Sequence, residues 1–295
     1  MKFLTILISA IILISGGSSQ KKNQAQENND EKSISVKLEL IWQTDTLLRT
    51  PESVLADKNG NVLYVSNMNS DMPANSGNGF ISKLDMQGNI IDLKWAVGLN
   101  GPKGMGKVEN NLFVADNDEL VKIDLGSGEI LEKVKIDGNP GLNDVTVGDD
   151  GSVYVSGYAT NIIYKVKDGI VESIFEGEDG ENFNGLLWEP ERMMLITSSG
   201  STFKTINWAT GDVTVIATDL GHGDGIIPLG SDDYITSDWR GRVFFIPSEG
   251  DPVTLLDTRE QEINAADIDY VDADKILFVP TFYDNRLKAY KVIIE

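Results

Sequence analysis

The sequence predicts an all-β fold: a six-bladed β-propeller with four-stranded antiparallel blades and a central metal-binding channel. Three observations predict it. One strand pattern recurs six times along the 295 residues, at intervals of 40–49 residues. Further strand patterns flank each copy, giving about four strands per unit. Oxygen-bearing residues then fall in register at the start of the innermost strand of four units.

The recurring pattern is an alternating apolar run that ends in a small or polar residue. Its copies are LYVSN (63–67), LFVAD (112–116), VYVSG (153–157), MLITS (194–198), YITSD (234–238) and ILFVP (276–280), whose starts are 49, 41, 41, 40 and 42 residues apart. Most follow turn sequences such as DKNGN or GDDGS, as strand pairs require. A third strand comes next in each unit: ISKLD (81–85), LVKID (120–124), IIYKV (162–166), FKTIN (203–207), RVFFI (242–246) and LKAYK (287–291). A fourth follows in most, as in LEKVKI (131–136), VESIFE (171–176), TVIAT (214–218) and VTLLD (253–257). The last unit stops at Glu295 after three strands. VKLELIWQ (36–43) is the expected fourth, so the two ends of the chain clasp the ring, and deleting residues 33–43 is expected to cost global stability. The first interval is long because MNSDMPANSGNG (68–79) intervenes, either a lid over one face or a mobile insertion.

Composition narrows the function. Hydrophobic residues make up 41%, enough for a sizeable core, and 29 glycines suit many turns. A net charge of −21 argues against nucleic acid and anionic membranes as partners. Cysteine is absent and His222 is the only histidine, so a zinc site of nitrogen and sulfur ligands is nearly excluded. A bound metal is expected to be oxygen-ligated: calcium, or another divalent cation such as magnesium, manganese or zinc. At the N-terminus, Lys2 and the 12-residue run Phe3–Ile14 have the proportions of a signal peptide over 1–17. The Ile14-Ser15-Gly16 stretch is lipoprotein-like, but Gly17 stands where a lipidated Cys would be, so export to the periplasm or exterior without a lipid anchor is expected. Residues 18–33, polar and aperiodic, are expected to be a disordered linker before a propeller spanning 34–295.

In a propeller the innermost strands line the axis. Their opening residues here are Glu52, Lys103, Asn143, Asn184, Asp224 and Ala266, spaced 51, 40, 41, 40 and 42 apart. Glu52, Asn143, Asn184 and Asp224 carry oxygen. Two carboxylates and two amides balance a divalent cation and leave coordination positions open for water and substrate. Each residue alone reads as a turn cap; the shared register argues for a site. Lys103 is the unexpected cation of the ring, placed either to stabilise an oxyanion or to pair with Asp144 or Asp267. His222 stands at the channel mouth. Lys103, His222 and Asp144 are the candidate substrate-binding residues. Trp188, Trp239, Phe282 and Tyr283 are expected mostly between blades, with Tyr158 and Tyr283 able to reach a channel mouth.

PESVLADKNGNVLYVSN, LNDVTVGDDGSVYVS, NGLLW and GDGI together resemble the senescence-marker protein/gluconolactonase (regucalcin-like) family across residues 36–295. The resemblance implies a six-bladed propeller that binds calcium or a similar ion and hydrolyses lactones or related esters. It implies Glu52, Asn184 and Asp224 as metal ligands and Asn143 as the fourth channel residue, on metal or substrate. Asp224 becomes the general base or the group that orients the attacking water. The arginines that sugar-lactone enzymes use have no clear counterpart; Arg49 is one candidate. Two other readings stay open: an exported propeller that binds a small ligand or a partner around a structural ion without catalysis, and a strictosidine-synthase-like enzyme.

Overall fold

A computed structural model describes residues 35–70, 75–230 and 232–295. The expected signal peptide (1–17) and linker (18–33) lie outside the described residues. The chain forms β1 (Val36–Gln43), then four blades in sequence and a fifth, each a four-stranded antiparallel meander. The first blade is β2 (Pro51–Asp57), β3 (Val62–Asn67), β4 (Gly79–Asp85) and β5 (Ile90–Leu99). The second is β6 (Pro102–Val108), β7 (Asn111–Asp116), β8 (Glu119–Asp124) and β9 (Ile130–Lys135). β10 (Leu142–Val147), β11 (Val153–Gly157), β12 (Ile162–Lys167) and β13 (Ile170–Glu176) make the third. The fourth holds β14 (Phe183–Glu189), β15 (Arg192–Thr197), β16 (Phe203–Asn207) and β17 (Val213–Ala217). The fifth holds β18 (Gly223–Pro228), β19 (Tyr234–Asp238), β20 (Arg242–Ile246) and β21 (Val253–Asp257). β22 (Asp269–Val271), β23 (Ile276–Pro280) and β24 (Leu287–Ile294) complete the sixth with β1. Among the described residues there is no α-helix, only 3-10 turns at Arg259–Gln261 and Phe282–Asp284.

The closure expected from the sequence is present. β1 runs antiparallel to β24, with Val36 opposite Ile294 and Gln43 opposite Lys288. Ser35 and Glu295 exchange two backbone hydrogen bonds, of 3.2 and 2.9 Å. Innermost strands of successive blades adjoin all the way round, including β22 against β2.

Burial explains the strand compositions. β3, β11 and β19 are buried along their whole length, because neighbouring blades cover both faces. That is why the recurring pattern reads as an almost unbroken apolar run. Outermost strands such as β17 face solvent along most of their length. The core is not one mass but six clusters, one at each blade-to-blade interface. One joins Tyr64 and Ile81 of the first blade to Leu112 and Val121 of the second. Another joins Leu63 and Val65 to Phe278 and Leu287, so the last blade packs on the first as the others pack on their neighbours.

Of the long insertion, residues 71–74 lie outside the described residues. Its feet are tied: Asn69 donates to the Asn78 carbonyl (3.0 Å) and Asn78 to the Asn69 carbonyl (3.2 Å). Asn117 on the second blade donates to the Asn75 side chain (2.7 Å).

Candidate functional site

Glu52, Lys103, Asn143, Asn184 and Asp224 are each the second residue of an innermost strand. In all five blades the pairing register shifts at that point: between Pro51 and Ser53, Pro102 and Met105, Leu142 and Val145, Phe183 and Leu186, Gly223 and Ile226. Such a bulge unpairs a residue and re-aims its side chain. Here it turns five side chains toward the axis together. The bulge frees backbone amides, and the recurring strand pattern supplies their acceptors. Ser66, Ser156 and Ser237 hydroxyls accept from the amides of Ser53, Asp144 and Gly225 at 2.9, 2.9 and 2.8 Å. Ala266, the sixth ring position, precedes β22 and leaves a gap in the ring.

The residue after Lys103, Asn184 and Asp224 is glycine, where blades converge. A Cβ on Gly185 would overlap the Asp224 carbonyl oxygen, and one on Gly225 would lie 2.5 Å from the Ile268 amide. Gly185→Ala should therefore push the fourth and fifth innermost strands apart. We expect a loss of about 2 kcal/mol in urea unfolding, by overpacking, together with weaker cation binding. An unchanged unfolding midpoint would refute the close approach.

Glu52, Asn143, Asn184 and Asp224 are all buried and line one cavity of about 300 Å³ with Lys103, His222, Met68, Tyr158, Ser198, Trp239 and Phe282. Among the described residues, six buried side-chain oxygens lack any hydrogen-bond partner. Four of them are Glu52 Oε2, Asn143 Oδ1, Asn184 Oδ1 and Asp224 Oδ1; the other two are the hydroxyls of Thr205 and Thr236. Buried polar atoms are rarely left unpaired, and four in one ring at the axis are not a packing accident. Two carboxylates and two amide carbonyls form an all-oxygen donor set, the kind that suits calcium or magnesium. No three Asp, Glu, His or Cys side chains gather as a metal cluster among the described residues. The ring falls short of that count because half of its donors are amides.

Burial also distorts the acids. Burial pushes Glu52 up to about 8, with Lys103 opposing and Asp267 adding to the rise. Asp224 is pushed well above the usual carboxylate range by burial, then by the Glu52 and Asp267 charges. Asp144 rises to about 7 and Asp269 to about 6, in each case mainly by burial and against backbone hydrogen bonds. An acid whose folded pKa lies above its unfolded value holds its proton more tightly in the fold. Its contribution is therefore present below the unfolded pKa and is lost as pH rises through the folded one. The chelated protein should melt higher at pH 5 than at pH 8.5, by roughly 5 °C or more. A flat or opposite profile in thermal denaturation would refute this.

Lys103 does not pair with Asp144 or Asp267; its ammonium donates to the Leu142 carbonyl (3.3 Å) and sits beside Glu52 and Asp224. His222 joins the cavity wall, with its amide on Asp238 (2.9 Å) and its carbonyl accepting from Trp239 (2.8 Å). Asp144 is not with them. It lines a separate cavity of about 250 Å³ with Lys107, Asp267 and Asp269, and its carboxylate accepts from the Val145 (2.6 Å) and Leu186 (2.7 Å) amides. One strand position beyond Asn143, it points away from the ring and ties the third innermost strand to the fourth. Of the three candidate substrate-binding residues, the structure therefore brings Lys103 and His222 to the ring's cavity and leaves Asp144 outside it. Arg49 is also absent from the cavity; its guanidinium donates to the Thr46 and Leu48 carbonyls.

Sequence reasoning missed Met68, Ser198, Trp239 and Phe282 as cavity residues. Trp188 does pack between blades, but Trp239 and Phe282 do not belong only there. The signal was available: Met68, Tyr158, Ser198 and Trp239 each follow directly on the recurring second strand. A larger cleft, of about 750 Å³, lies on the rim of the fourth blade. Its Arg192 is already bound by Glu189 and Asp232.

No protein-family model matches the sequence, and no curated protein matches it. Solved structures do. The chain is similar to virginiamycin B lyase from Staphylococcus aureus, solved with quinupristin: TM-score 0.62, 12% identity, 88% of this chain and 100% of that one. It is similar to a gluconolactonase from Xanthomonas campestris: TM-score 0.64, 16% identity, covering 83% and 87%. What is shared is the fold. An auxiliary nutrient binding protein from Bacteroides ovatus has it too, at TM-score 0.63 and 14% identity over 83% and 69%. Two of these folds carry enzymes and one a binding protein, so the ring itself must decide the function.

Proposed function

We propose that the channel is a divalent-cation site, calcium by preference, and that the protein hydrolyses lactones or related esters there. The observation that carries this reading is the set of four partnerless buried oxygens on Glu52, Asn143, Asn184 and Asp224. When bound, the cation supplies a Lewis acid that polarises the ester carbonyl and offsets charge developing on its oxygen. The protein's own groups do the rest. Glu52, Asn143 and Asn184 hold the ion from three blades. Asp224 also takes the proton of the attacking water and passes it to the alkoxide released when the ester C–O bond breaks. Asn143 orients the substrate carbonyl beside the ion. Lys103 adds a positive charge at the floor, where the tetrahedral oxyanion forms.

The test is a titration of calcium, magnesium, manganese and zinc into chelated protein, followed by a panel of sugar lactones, aryl lactones and aryl esters. Turnover should vanish with chelator and return with the cation. Failure of every cation to bind would overturn the site. The nutrient-binding neighbour supports a second reading, a non-catalytic small-ligand binder around a structural ion. A bound cation with no turnover of any panel member would favour it.

A further inference from the structure

Above the ring, the cavity wall is aromatic. Trp239, Phe282, Tyr158 and Met68 form it with His222, and the charged groups Glu52, Asp224 and Lys103 are confined to the floor. Trp239 and Phe282 meet edge to face at 5.3 Å. Tyr283 joins both, at 5.8 and 4.8 Å, while remaining 63% exposed. A three-ring cluster with its outer member left in water is a ready apolar contact surface.

The backbone is bent to put it there. Phe282 has φ +44°, a left-handed conformation that a bulky residue seldom adopts. Strain of this kind, of order 1–3 kcal/mol, survives only where its surroundings impose it, and it gathers at ligand sites. The surroundings are visible. The Thr281 hydroxyl and the Arg286 backbone exchange hydrogen bonds across the turn, at 2.9 and 3.0 Å. Asn264 donates to the Trp239 carbonyl (2.8 Å) and accepts from the Tyr283 amide (3.4 Å), so one side chain locks the rings of two blades together.

The same wall lacks what a polyol needs. Among the described residues no arginine lines it, and beyond the ring they offer only the polar atoms of Tyr158, Ser198 and His222. Each sugar hydroxyl buried without a partner costs binding energy. A volume of about 300 Å³ is at the small end of ligand pockets.

Resting on the hydrolase reading, we propose that the preferred substrates carry a planar apolar group, as aryl lactones do, with Trp239 and Phe282 as the specificity-determining residues. Polyhydroxylated sugar lactones are then the poorer class. The test uses the calcium-loaded full chain. Rates are compared for dihydrocoumarin and glucono-δ-lactone, and binding of 3,4-dihydroquinolin-2-one, the lactam counterpart of dihydrocoumarin, is followed by calorimetry. We expect a kcat/KM at least ~10-fold higher for the aryl lactone. Trp239→Leu and Phe282→Leu should raise its KM and weaken the lactam by ~10-fold or more, with kcat and calcium affinity little changed. Tyr283→Ser, at an exposed position where folding is not at stake, should do the same to a smaller degree.

A preference for glucono-δ-lactone, or an unchanged KM and lactam affinity in all three variants, would overturn the proposal. Lactam binding that the variants weaken, without turnover of any lactone, would uphold the aromatic wall and overturn the hydrolase reading instead.

Discussion

Glu52→Gln and Asp224→Asn are each expected to abolish the rise in melting temperature on adding calcium and the turnover proposed to depend on it. In chelator, both variants should melt higher than the parent protein at about pH 8.5. The two halves of this result have one cause. Without a cation, Glu52 and Asp224 are carboxylates penalised first by burial and then by neighbouring acids, the causes that raise their pKa values. Neutral amides of the same shape remove that penalty while keeping the packing. With a cation at a hundredfold its Kd, the parent protein gains about 2.7 kcal/mol, or roughly 5–10 °C in a chain this size. The variants have lost a ligand charge and gain little. Substitutions that merely damage the fold would lower both melting temperatures, so paired scans with chelator and with calcium separate the outcomes. Full calcium response and full activity in either variant would remove that residue from the site.

Removing β1 has the second largest effect. A chain that begins at Thr44 leaves β24 as an open edge and takes away Val36, Leu38 and Trp42. Val36 and Leu38 pack at the interface of the last two blades, and Trp42 packs on Phe278 at 5.8 Å. Burying Val36 and half-burying Leu38 and Trp42 contributes about 3–5 kcal/mol, so melting should fall by about 10 °C or the ring should fail to close. An unchanged melting temperature would mean that the clasp is dispensable.

The fold was legible because a propeller buries its second strands on both faces, and LYVSN and its five counterparts show that burial directly. The ring was legible because Glu52, Asn143, Asn184 and Asp224 keep the repeat's spacing. The fate of Asp144 was not. Its direction is set inside the bulge between Leu142 and Val145, and spacing along the chain does not show which of the two residues there turns to the axis. Trp239 and Phe282 were hidden for another reason. An aromatic residue beyond a strand end serves equally between blades or above a channel, and the left-handed backbone at Phe282 that decides the matter leaves no mark in the sequence.

The pairing of β1 with β24 also has a consequence in time. The first strand of the propeller can find its partner only after β24 has been made, across a separation of 258 positions between Lys37 and Glu295. Five blades can assemble locally while the chain lengthens, yet the ring stays open and the interface between its last and first blades stays wet. Long-range pairing of this kind is intrinsically slow. Until it happens, the unclosed ring exposes the free edge of β24 to any other strand it meets.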